Sequence, residues 1–307
     1  MQVYDKLWKG IIEDLFDDFL HFYFPDLVSL IDFSKPFEFL DQELALLFPE
    51  AENKNRAADK LVKVYFLNGD EAWFLSHIEV QGYHDDTFQK RMYISHYRIT
   101  DRYNKKVVAL AIYTDKNKYF KPNIYESHFH GTEIKYKFRT YKVLEQDKNI
   151  LEKSDNPFAL VVLAVLSALE KGTAKDDEIM TIKRNLVRLL FERNYKKNTI
   201  IKLFRFINYY IRFENSKNYS IFAKDIQSTF LNQKKNMGIE EILIEDARHE
   251  GEIIGIEKGE IIGIEKGIIL LISNVMKKHP KWSDEKIADL LEVSTETVMS
   301  VRINLVS

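Results

Sequence analysis

The 307-residue sequence has no cysteine, which excludes disulfides, thiolate-ligated zinc and cysteine nucleophiles and is compatible with a reducing compartment. It has no excess of either charge: 45 Lys and Arg against 47 Asp and Glu leave a net charge of −2. Contact with a polyanion must then come from local basic patches or a bound metal, because the global field favours no partner. Long apolar runs are also missing. The longest, Phe158–Leu169, is shorter than the ~20 residues that span a bilayer and is interrupted by Ser167. The opening Met1–Lys6 offers no basic lead into an apolar segment. The expectation is a soluble, cytoplasmic protein with no membrane partner.

Apolar residues make up 45% of the chain, ample for a core, and the length suits two domains or one domain with appendages. The most informative stretch is Asp59–Gln81. Leu61–Leu67 and Ala72–Val80 are rich in β-branched, aromatic and aliphatic residues and flank Asn68-Gly69-Asp70-Glu71, which predicts an antiparallel hairpin. If Phe66 faces Ala72 across a loop of about four residues, Asp59 falls opposite Glu79, within one residue. Two facing carboxylates repel unless a cation lies between them. Mg²⁺, with Mn²⁺ as a substitute, takes oxygen ligands of this kind. Gln81 shares the strand face of Glu79 and is placed to orient an attacking water.

The spacing Asp59, then Glu79-x-Gln81, on a hairpin resembles the PD-(D/E)XK nuclease superfamily, with glutamine in place of the final lysine. Tyr4-Asp5-Lys6-Leu7-Trp8-Lys9, Ala58-Asp59-Lys60-Leu61-Val62-Lys63, His77-Ile78-Glu79-Val80-Gln81-Gly82-Tyr83 and Phe88-x-x-Arg91-Met92-x-x-x-x-Tyr97-Arg98-Ile99 are similar to the recombination-promoting nuclease family, often labelled transposase-like, over roughly residues 1 to 145. The resemblance implies an α/β fold with a restriction-endonuclease-like core, and a metal-dependent DNA endonuclease linked to recombination, mobile elements or phage-related processes. It implies metal ligation by Asp59, Glu79 and the Val80 carbonyl, and an accessory acid from the first helix, Glu13 or Asp14. Lys60 or Arg91 would offset phosphate charge. The competing reading is a catalytically weak nuclease fold that binds DNA or itself as a regulatory module, because Gln81 lacks the charge of lysine.

Elsewhere the chain reads as helices, strands and a tail. Residues 4–24 carry Leu7, Trp8, Ile11, Ile12, Leu15, Phe16, Phe19, Leu20 and Tyr23 at helical spacing, ended by Pro25. A helix is expected over about 86–103, a doubly buried strand over Val107–Thr114, and two strands over Ile124–His130 and Glu133–Leu144 around Gly131-Thr132. From Pro157 to about Leu231 the pattern is helical. Lys183–Arg212 holds nine Lys or Arg against Glu192 alone, which marks Lys196, Lys197 and Lys202 as candidate DNA contacts. The alternatives there are a solvated basic face, and core packing for the interleaved aromatics.

Residues 251–266 are two copies of GEIIGIEK, giving glycines at 251, 255, 259, 263 and 267. A helix with that ridge needs a close partner, so the stretch reads as a homo-oligomerisation or regulatory stalk, or else a linker. Trp282–Val298 resembles a helix-turn-helix with caps at Ser283 and Ser294. Its second helix is poor in basic residues, so a protein contact competes with DNA reading. The expected division is a nuclease-like domain over 1–150, a partly basic helical extension over 151–235, and a repeat-containing tail over 236–307.

Overall fold

The hairpin at residues 60–79 forms the middle of a five-stranded mixed sheet. The computed structural model describes residues 2–48, 60–79, 87–172, 175–215, 217–231, 267, 269–280, 282–291 and 293–306. The chain divides into two compact units, residues 1–240 and 241–307. In the first, strands β1 (Glu38–Phe39), β2 (Lys60–Tyr65), β3 (Glu71–Glu79), β4 (Val107–Tyr113) and β7 (Arg139–Lys142) lie in the order β1-β2-β3-β4-β7. β2 runs antiparallel to both β1 and β3, whereas β4 runs parallel to β3 and β7 parallel to β4. Strands β5 (Ile124–Phe129) and β6 (Thr132–Lys137) form a separate hairpin. Its turn is His130-Gly131, both residues having positive φ, as a two-residue hairpin loop requires.

The register of the β2–β3 hairpin differs from expectation by two residues. Tyr65 faces Glu71 and Val64 faces Ala72, so Lys60 faces Ser76 rather than Ile78. The cause is the loop. Gly69 adopts φ +88°, donates to the Phe66 carbonyl at 3.0 Å, and lets the Phe66 N–H reach the Asp70 carbonyl at 2.8 Å. A glycine in this left-handed position closes a three-residue loop, Leu67–Gly69, in place of the longer one.

Helix α4 (Phe88–Tyr103) makes the crossover from β3 to β4 and packs on one face of the sheet, closed by Asn104 in the left-handed region. Ile99 joins Leu61, Trp73 and Leu75, while Phe88 and Met92 join Ala109, Ala111 and Tyr113. The opposite face is met by the N-terminal helices. Phe24 packs edge-on against Phe74 at 4.9 Å. The single helix expected over 4–24 is two, α1 (Gln2–Asp14) and α2 (Phe16–Tyr23), because Leu15 leaves helical geometry at φ −127°, ψ 38°. The break turns two apolar faces separately: Trp8 meets Phe158 and Phe206, whereas Phe16 meets Phe37 and Phe39. A short helix, α3 (Asp41–Ala45), follows β1.

The strand expected over Glu133–Leu144 is also two. Its chain leaves β6 at Phe138, whose N–H bonds to the Asn123 carbonyl, and enters the main sheet as β7. Then come α5 (Lys148–Lys153), α6 (Pro157–Lys171), α7 (Asp176–Glu192), α8 (Lys197–Tyr210) and α9 (Lys217–Ile226). α6 begins with the Asn156 side chain accepting from the Phe158 N–H at 2.7 Å, and its residues Phe158–Leu166 are all buried. At about 1.5–3 kcal/mol for each large apolar side chain removed from water, this helix is a principal source of cohesion. α7 and α8 pack on it and α9 packs on α7 inside unit 1–240, so the segment expected as an extension shares that unit with the sheet.

In unit 241–307, helical residues 269–278 (α10), α11 (Asp284–Leu291) and α12 (Thr295–Val306) enclose Ile272, Met276, Ile287, Ala288, Val298 and Val301. Ser283 and Ser294 accept from the N–H groups of Lys286 and Thr297, the caps read from the sequence. The glycine repeats at 251–266 lie outside the described residues. No helix among the described residues is long and apolar enough to cross a membrane.

Candidate functional site

Because β2 is antiparallel to β3, the first residue of β2 lies beside Ser76, in the second half of β3. Lys60, at that first position, is wholly buried. A buried ammonium requires opposite charge, and two carboxylates supply it: Glu13 from the last turn of α1 and Asp41 from the first turn of α3 both contact its Nζ. The Phe39 ring lies 5.1 Å from the same nitrogen. Asp41 Oδ1 is buried without a hydrogen-bond partner among the described residues. The expected role of Lys60 as a phosphate contact is therefore corrected: its charge is engaged inside the protein. Of the two candidate accessory acids, Glu13 reaches the start of β2. Asp14 instead faces Lys202, 3.1 Å away.

Glu79 is the last residue of β3 and stands in register with Tyr113, which in turn stands in register with Lys142. One row therefore crosses three parallel strands at their carboxyl ends. The crossover through α4 returns its first turn to this same end, where the rings of Phe88 and Tyr113 are 5.6 Å apart. Arg91, half-buried on that turn, has its guanidinium 5.6 Å from the Phe88 ring. Glu79, Arg91, Lys60 and Glu13 thus belong to one end of the sheet. Asp59, Val80 and Gln81 lie outside the described residues.

Sequence reasoning missed two features here. Asp41 was one acid among many in a stretch without periodicity. The Asp115–Lys142 pair, both residues buried and their charged atoms 2.6 Å apart, joins the ends of β4 and β7 across 27 residues. Only the pairing of those strands makes it visible. Donors at this end are carboxylates, the hard oxygen ligands that suit Mg²⁺. Among the described residues, however, no three His, Asp or Glu side chains converge to hold a metal.

The basic run at 183–212 is largely consumed within the protein. Lys183 is buried, its Nζ 4.7 and 4.9 Å from the rings of Phe213 and Phe222. Arg184 pairs with Asp225, Arg188 with Glu192, and Arg193 donates to the Glu152 carbonyl. Lys202, an expected DNA contact, donates to the Asp14 carbonyl at 2.9 Å as well as pairing with its carboxylate, which clasps the end of α1. Lys196 and Lys197, at the start of α8, remain exposed. Phe191, Phe204 and Tyr210 are buried core. In the second unit Arg302 is held by Asp284 and the Trp282 carbonyl, which removes a base from the expected reading helix. Comparison with protein-family models, with curated proteins and with solved structures finds no match to this chain.

Proposed function

We propose that the chain is a Mg²⁺-dependent DNA endonuclease with a PD-(D/E)XK-type core, acting in recombination or on mobile-element or phage-related DNA as its resemblance to the recombination-promoting nuclease family implies. The carrying observation is topological. Two helices, the strands β1, β2 and β3 with the short α3 between the first two, a crossover helix and a parallel strand follow in that order, and they bring the end of β3, the start of β2, the last turn of α1 and the first turn of α4 to one end of the sheet. Carboxyl ends of parallel strands are where such sheets receive ligands.

In this reading Asp59, Glu79 and the Val80 carbonyl hold the ion, with Glu13 as the accessory acid. Bound there, Mg²⁺ would supply charge to the developing phosphorane and a water of lowered pKa. Gln81 orients that water through its amide. Arg91 faces the phosphate. Lys60 keeps Glu13 and Asp41 together rather than touching substrate, and since Gln81 is neutral, turnover is expected to be slow. The glycine repeats are read as the seam of a homo-oligomer.

The test is digestion of supercoiled plasmid with and without Mg²⁺ by wild type and Glu79→Gln. The variant should stay folded and lose metal-dependent nicking, because a ligand charge is removed while shape is kept. Nicking at the wild-type rate by a folded Glu79→Gln protein would overturn the assignment.

A further inference from the structure

The chain leaves β4 at the end of the sheet where Glu79 lies, because Tyr113, the last residue of β4, stands in register with Glu79. Residues 114–123 are then fixed by their own contacts. Asp115 is buried against Lys142, its Oδ1 accepts from the Asn117 N–H at 2.8 Å, and the Asn117 side chain accepts in turn from the Tyr119 N–H at 3.0 Å. Phe120 is buried, its ring 5.6 Å from that of Tyr113 and 6.1 Å from that of Phe88. The Phe88 ring also has the Arg91 guanidinium 5.6 Å away, so the inner residue of this loop packs beside the turn that carries the candidate phosphate contact.

The outer residue is Tyr119. At 92% exposure it is the most exposed large aromatic or aliphatic side chain among the described residues. Its ring buries almost nothing for the fold, yet the backbone beneath it is held by Asn117 on one side and by Phe120 on the other. A contact surface fixed in advance loses little entropy on binding. Lys116 and Lys118 flank the ring in the chain, both exposed and neither in an ion pair among the described residues. The acid of the loop, Asp115, is spent on Lys142, and Lys121 is spent on Glu145.

We propose that this loop is a platform for an unpaired stretch of DNA, one base stacking on Tyr119 while the neighbouring phosphates meet Lys116 and Lys118. The choice of DNA rests on the proposed nuclease activity, and it gives that site a substrate form. In a duplex each base face is covered by the next base pair, whereas an unpaired base offers its face to an exposed ring irrespective of sequence. Lysines beside the ring neutralise the phosphates of the same strand. An acidic peptide would satisfy the lysines and leave the ring without a role.

The experiment is fluorescence anisotropy with the full-length protein in EDTA, which prevents metal-dependent cutting, using a labelled mixed-sequence single strand and the same strand annealed to its complement. Tyr119→Ala should bind the single strand about tenfold more weakly, Tyr119→Phe should bind it as wild type does, and duplex affinity should be unchanged in both. Lys116→Ala/Lys118→Ala should lower the log–log salt slope of single-strand binding by about 0.7 for each phosphate no longer neutralised. Thermal midpoints should stay at the wild-type value, since all three side chains are exposed. The proposal is overturned if the single strand does not bind, if Tyr119→Ala binds it as well as wild type, if strand and duplex lose affinity equally, or if polyglutamate binds as tightly as the strand. Plasmid digestion in Mg²⁺ by the same proteins separates this platform from the reading it rests on. Strand binding that needs Tyr119 without any cleavage would remove the nuclease and keep the platform; cleavage with strand binding indifferent to Tyr119 would do the reverse.

Discussion

Lys60 is where burial and charge are most directly opposed. Its side chain is wholly enclosed and its ammonium is met by Glu13 and Asp41, whose side chains are both partly exposed. Removing the charge while keeping the volume leaves two carboxylates facing each other. Lys60→Met should therefore lower stability by about 1–3 kcal/mol, less than for a fully enclosed pair because water screens the carboxylates. Millimolar Mg²⁺ should restore part of that loss, since a cation bound only by the native state stabilises it. Urea denaturation with and without Mg²⁺ measures both effects; a variant as stable as wild type would show that the two acids do not depend on this lysine. The sequence carried the motif in which Lys60 sits. It did not carry the lysine's partners, because Glu13 and Asp41 are 47 and 19 residues away and meet it only when α1 and α3 pack beside β2.

Among the elements, the β2–β3 hairpin depends most on a single backbone position. Gly69 sits at φ +88° with nothing within 4 Å of where a β-carbon would stand, so substitution there is penalised by backbone strain and not by crowding. Gly69→Ala should cost about 1–2 kcal/mol, and Gly69→Asn less, because asparagine tolerates the left-handed region better. Equal stability of the three proteins in denaturant would mean that the turn does not set the register. The helices α7 and α8 make the opposite point. Their basic composition was legible, but its use was not, since Lys183, Arg184, Arg188, Arg193 and Lys202 all find partners within the protein. Replacing Lys196 and Lys197 by alanine should reduce the log–log salt slope of DNA binding by about 0.9 for each phosphate no longer neutralised, whereas Lys202→Ala should leave it unchanged. An unaltered slope in the double variant would confine these lysines to solvated surface.

For the whole molecule, the decisive fact is that sheet and helices share one unit. Trp8, Phe19 and Phe158 interlock α1, α2 and α6, so residues beyond 150 belong to the core that supports the sheet. A fragment of residues 1–240 should fold cooperatively and melt at the temperature of the matching transition in the full chain, whereas a fragment of 1–150 should not fold. Calorimetry of the two decides it, and a molten 1–240 fragment would refute the division into units. Sedimentation of 1–240 beside the full chain also tests the repeats as an oligomer seam: association that survives the truncation would locate the seam elsewhere.

By itself the sequence determined what is local. The β-branched, aromatic and aliphatic runs that make β2 and β3, the uninterrupted apolar run of β4, the Asn156 and Ser294 caps and the amphipathic spacing of α4, α7 and α8 are properties of neighbouring residues, and they survive folding unchanged. Tertiary structure decided what depends on pairing across distance. A three-residue loop moved the hairpin register by two positions, because one glycine enters the left-handed region more readily than residues that carry a β-carbon. Packing of α1 and α3 enclosed Lys60, strand pairing joined Asp115 to Lys142, and the packing of Phe120 on Tyr113 and Phe88 set Tyr119 at the end of the sheet that holds Glu79. Charge and hydrogen bonding act between whichever groups the fold brings together, and residue order fixes the identity of those groups but not their neighbours.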